Sequence, residues 1–196
     1  MKKIAFVIFV PFICVIFLTA FKMNQVNSNE KKLIFKYISY EYGFPLQKSD
    51  TGFQIRRSYQ VYDSKELVVI DKLYKGYQIT KVSLNESFYD TLYNLQGLSS
   101  MVVKTKLNEG DYYAGAYDFI STDSEKSKER LCFILPFVSK RLKKIVADLY
   151  KIKLSEGIQT TMEIIPEEVE NFKAEILPIH KKSNLPKIEL PPPPGK

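Results

Sequence analysis

Four carboxylates, Glu109, Asp111, Asp118 and Asp123, crowd one stretch of the chain. Paired acids are what general acid–base hydrolysis needs, provided that two carboxyls meet about 5–10 Å apart across a cleft. Acids are also ordinary in loops, and Asn108-Glu109-Gly110-Asp111 has the composition of a tight turn. The turn explanation is preferred, and a carboxylate-dependent hydrolase of envelope polymers stands as the alternative function. The single histidine, His180, follows Pro178 and falls at the edge of a proline-rich end. It is expected to be a solvated tail residue with no packed shell to hold it as a base.

Cys132 lies in Leu131-Cys132-Phe133-Ile134-Leu135 and reads as a buried small hydrophobe, not a reactive thiol. The second cysteine, Cys14, sits in the apolar N-terminal stretch, so the two are not expected to pair within one chain. No zinc-type cysteine spacing, phosphate-cradling glycine loop or dinucleotide fingerprint occurs, so neither a cofactor nor a metal is expected.

Lys140, Arg141, Lys143, Lys144 and Lys151 fall on one basic helical face. That face is a candidate contact for an acidic partner or an anionic lipid surface; its plainer reading is an ordinary solvated face. Tyr112, Tyr113 and Tyr117 supply an aromatic cluster that fits either a core or a binding surface, and core is preferred. Asn85-Glu86-Ser87 matches a glycosylation acceptor, but a role in starting a helix is the simpler account.

The elements that must position these residues read as follows. Asn29 to Tyr42 carries Leu33, Ile34, Tyr37, Ile38 and Tyr42 at helical spacing, closed by Gly43 and Pro45. Phe53, Ile55, Arg57, Tyr59 and Val61 alternate as a half-exposed strand. Glu66–Leu73 and Tyr77–Val82 flank Lys75-Gly76 as a hairpin. Ser83 and Glu86 have capping-box spacing for a helix running to about residue 96 and stopped by Gly97. Met101–Leu107 and Tyr112–Ile120 form a second predicted hairpin, and Ser121–Arg130 a polar loop or a frayed helix start.

Leu131–Leu135 reads either as a buried strand, with Pro136 opening the strongest helix of the chain, or as part of one helix that runs through and kinks at Pro136. Val138, Leu142, Ile145, Leu149 and Ile152 form the apolar stripe of that helix. Ile158, Thr160, Met162 and Ile164 alternate as another strand, and Pro166-Glu167-Glu168 begins a short helix. From Pro178 onward the prolines, including Pro191 to Pro194, predict an extended solvated tail. The fold class is therefore α+β: an N-terminal apolar helix, one small domain of antiparallel hairpins packed with two or three helices, and a disordered proline-rich tail.

The N-terminus fixes where such a domain is expected to work. Met1-Lys2-Lys3 precedes an uncharged run from Ile4 to Phe21, then Lys22. As a helix that run spans about 27 Å, close to the hydrocarbon thickness of a bilayer. It is longer and bulkier than a cleavable signal requires, so an uncleaved single-pass anchor is favoured over a removed signal peptide. Cys14 lacks the preceding small residue of a lipidated cysteine. Residues 1–28 are assigned to this anchor or signal, 29–177 to one extracytoplasmic domain, and 178–196 to the tail.

The chain carries a net charge of +7, of which Lys2, Lys3 and Lys22 supply three. The remainder is too mildly basic to argue for nucleic acid. The expected function is that of a bacterial-type, non-enzymatic envelope protein, anchored in the inner or plasma membrane through residues 4–21 or exported. It would act by binding another envelope protein, as an immunity protein or an accessory subunit of an envelope or secretion complex. An anionic-lipid-surface role for the Lys140–Lys151 face is a further alternative.

Overall fold

A computed structural model describes residues 31–42, 52–102, 116–162, 167–183 and 185. The chain separates into two compact units, Met1–Lys32 and Leu33–Lys196, and the architecture below belongs to the second. The apolar segment Ile4–Phe21 and most of the proline-rich end lie outside the described residues. Among those described, no helix is long and apolar enough to cross a membrane.

The class is α+β with an antiparallel sheet, as expected; among the described residues there are seven strands, in the order β6-β5-β1-β2-β3-β4-β7, and four α-helices where two or three were expected. β1 (Leu33–Tyr42) occupies the interior of the sheet between β2 (Phe53–Tyr62) and β5 (Ala116–Asp123). β3 (Glu66–Lys72) and β4 (Tyr77–Ser83) form the expected hairpin, with Gly76 at φ 77 in the turn. A left-handed residue is what a tight hairpin turn needs, and glycine adopts it without a Cβ penalty. β6 (Lys128–Phe133) and β7 (Ile158–Met162) are the two edges.

Both sheet faces are covered. On one, α1 (Glu86–Tyr93), α2 (Leu98–Met101) and α3 (Lys140–Tyr150) pack Tyr89, Leu92, Leu98, Met101, Leu142, Ile145, Val146 and Leu149 onto Phe35, Tyr37, Tyr59, Val61 and Ile120. On the other, α4 (Glu167–Lys182) buries Val169, Phe172 and Ile176 against Ile38, Tyr40, Ile55, Ile70 and Phe119.

Several expectations are corrected. Residues 33–42 form a central strand, not a helix. β1 is buried on both faces, so its apolar residues run almost continuously and the two-residue period is hidden. Residues 121–130 are not a loop. Ser121, Thr122, Ser124 and Ser127 are buried in the β5–β6 hairpin, where the Thr122 and Ser127 hydroxyls lie 2.9 Å apart. Glu129 then accepts N–H bonds from Gly97, Leu98 and Ser99 at 2.8–3.2 Å, tying β6 to the start of α2.

α1 is capped by Asn85, whose side chain accepts from the Phe88 N–H at 2.9 Å, and it ends at Tyr93. Gly97, at φ 70, precedes α2 instead of merely closing α1. Met101 therefore ends a helix and does not start a strand; the turn Asn108–Asp111 of the expected hairpin lies outside the described residues. Pro136 sits in a 3-10 turn (Leu135–Phe137), and Ser139 caps α3 by accepting from the Leu142 N–H at 3.3 Å. Finally, α4 runs through Pro178 to Lys182, so the predicted boundary at 177/178 falls inside a helix.

Candidate functional site

α3 holds the predicted basic residues. Its stripe of Leu142, Ile145, Val146 and Leu149 is buried, which turns Lys140, Arg141, Lys143 and Lys144 into solvent. Among the described residues no acid pairs with these four. Lys151 caps the helix and reaches Asp148 at 3.2 Å. Past this end an open groove of ≈ 400 Å³ separates α3 from the start of α1. Leu84, Phe88 and Ile152 give it apolar walls, Ser83, Asn85 and Asp148 add polar groups, and Lys151 and Lys153 stand at it. Lys151 belongs to both features, so the groove and the basic helix are continuous.

The two predicted acids among the described residues, Asp118 and Asp123, do not converge. Asp118 is 7% exposed and accepts the Tyr37 hydroxyl at 2.6 Å and the Leu135 N–H at 3.3 Å. Burial pushes its carboxyl up to about 6, against the hydrogen bonds that favour the charged form. A carboxyl poised there is a recognised feature of general acids, but both its oxygens are engaged inside the protein. Asp123 lies five residues along the same strand, about 17 Å away and on the opposite face. It pairs with Lys128 at 3.5 Å. Glu109 and Asp111 lie outside the described residues, as do Tyr112 and Tyr113.

Around Asp118 the network is aromatic. Tyr150, on α3, sets its ring edge-on to Tyr37 and Tyr59 at 6.3 and 5.6 Å between centroids. Arg57 lies 5.5 Å from the Tyr150 ring centroid, donates to the Tyr59 hydroxyl at 3.2 Å and forms an ion pair with Asp71. Burial raises the Tyr37 hydroxyl and pushes Tyr59 up to about 12, so both stay protonated at neutral pH. The arrangement ties α3 to the sheet through polar groups.

His180 is not a solvated tail residue. It sits on α4 with Nδ1 2.7 Å from the Tyr40 hydroxyl, and its ring meets Tyr42 and Tyr117 edge-on at 4.5 and 4.7 Å. Burial lowers its pKa. The signal for this helix was present: Val169, Phe172, Ile176 and Ile179 keep helical spacing across Pro178. Tyr117 is core, as preferred, and Cys132 is buried with its thiol pushed up to about 11 by burial. Among the described residues no three His, Cys, Asp or Glu side chains are placed to hold a metal ion.

No protein-family model, curated protein or solved structure matches this chain.

Proposed function

We propose that this protein is a non-enzymatic binding module that engages an acidic protein partner through the α1/α3 groove and the adjoining basic face of α3. The observation that carries the reading is the continuity of the two: an apolar-walled groove leads at Lys151 into a helix whose Lys140, Arg141, Lys143 and Lys144 have no acidic partner among the described residues. Exposed charges steer encounter, while the apolar walls formed by Leu84, Phe88 and Ile152 supply burial once contact is made. The apolar run Ile4–Phe21 supports placing the module at the cell envelope, anchored or exported. In that setting an immunity protein and an accessory subunit of an envelope complex are the two roles that fit.

The test is crosslinking in the producing cell's membranes, followed by recovery of the full chain and identification of what is attached. An acidic protein recovered by the native chain, and lost several-fold when Lys151→Glu and Lys153→Glu are combined, supports the reading. Recovery of no protein counts against it. So does salt-sensitive binding of the chain to anionic vesicles with no protein partner, which would assign the basic face to lipid instead.

A further inference from the structure

The two edges of the sheet are built differently. β6 presents Lys128, Glu129 and Arg130; Arg130 approaches Glu175 of α4 at 3.6 Å and Glu129 is bound by the α2 backbone. Charges along an edge deter a further strand from adding there. β7 has none of this protection. Its sequence, Ile158-Gln159-Thr160-Thr161-Met162, carries no charge and no proline, and it pairs with β4 in unbroken register. All five residues are exposed, with Ile158 at 76% and Met162 at 37%. Among the described residues nothing hydrogen-bonds to its outer edge.

The segment is also self-complementary. When two β7 strands run antiparallel about Thr160, Ile158 faces Met162, Gln159 faces Thr161 and Thr160 faces its own copy. Each pair matches apolar to apolar or polar to polar, and no like charges oppose. Pairing of β7 onto β6 of another molecule would instead propagate without end, and the charges on β6 disfavour it.

We propose that β7 is a homodimerisation edge: two copies pair β7 to β7, antiparallel, about a twofold axis at Thr160, and join their sheets into one. The second copy is the occupant because the edge matches itself residue by residue. Ile158 and Met162 then cover one another across the axis.

The test uses the full chain in mild detergent. Opposed residues of an antiparallel pair have Cα atoms about 4.5–5.5 Å apart, within the span of a disulfide. Thr160→Cys, made together with Cys14→Ser, should crosslink to itself under mild oxidation. Ile158→Cys should not, because its two copies lie about 13 Å apart along the strands. A mixture of Ile158→Cys and Met162→Cys chains should crosslink. Sedimentation should give a dimer for the native chain in the micromolar range and a monomer for Thr160→Lys, which sets two ammonium groups against each other at an exposed position. A monomeric native chain overturns the proposal. So does a dimer that survives Thr160→Lys or crosslinks without regard to register, which would place the association elsewhere, for instance in residues 1–28.

Discussion

Replacing Asp118 by asparagine gives a sharp test of the buried polar network. In the native chain the carboxyl titrates near 6, whereas in an unfolded chain it would titrate near 3.9. The folded form therefore binds its proton more tightly. Between those two values the native state holds more protons than the unfolded state, so this group's contribution to stability falls as pH rises. Linkage over pH 4.5 to 7 gives a loss of about 2 kcal/mol, an order-of-magnitude figure for a carboxyl this deeply buried.

Asparagine keeps the shape and can still accept the Tyr37 hydroxyl, but it cannot ionise. Its amide group would face the Leu135 N–H, a mismatch costing on the order of 1–3 kcal/mol at every pH. Comparing slopes cancels that constant. Urea unfolding of native and Asp118→Asn protein at pH 4.5 and 7 should show the native chain losing about 2 kcal/mol more than the variant over this interval. Every other titrating group is common to both chains, so the difference belongs to position 118. Equal slopes would refute the claim that burial raises the pKa of this carboxyl.

His180 titrates in the opposite sense: its depressed pKa means that its stabilisation is present above the ordinary histidine range and is lost as pH falls through that range. His180→Phe should flatten the acid limb of the unfolding midpoint against pH, and proteolysis at low pH should release α4 later than in the native chain; an unchanged limb would argue against the packed imidazole. Gly157→Ala should weaken the docking of β7. A Cβ there would meet the Lys81 carbonyl oxygen at 2.6 Å, a clash worth about 1–3 kcal/mol, read as a lower unfolding midpoint and faster hydrogen exchange in Ile158–Met162.

What the sequence disclosed follows the periodicity of each element. The β3–β4 hairpin and the inward stripe of α3 are each wet on one side, so their apolar residues recur at the period of the element. β1 escaped because it has no wet side: Lys36, the residue that most argues for solvent, is buried and answered by Glu175 from α4. That partner lies 139 residues away, and no local window contains it.

The β5–β6 hairpin escaped for a related reason. Its Thr122 and Ser127 hydroxyls bond to each other and Ser124 accepts the Lys126 N–H, so a polar run is interior rather than loop. At Pro178, local helix-breaking chemistry competed with the anchoring of Ile176, which is wholly buried, and packing prevailed. Of the candidate site, the basic residues were legible because α3 was. The groove was not, since Phe88 and Ile152 meet only after α1 and α3 have docked.

The position of β1 governs how a nascent copy of this chain can fold. β1 through β4 neighbour one another in chain order and can zip as the polypeptide emerges, but the far side of β1 waits for β5. In the β1–β5 register Tyr37 meets Ile120, against Tyr59 in the β1–β2 register. Closing the longer excursion costs about 1 kcal/mol more entropy. Until the chain through Asp123 is free to fold, a strand destined for the middle of the sheet stands as a naked edge, open to pairing with other chains.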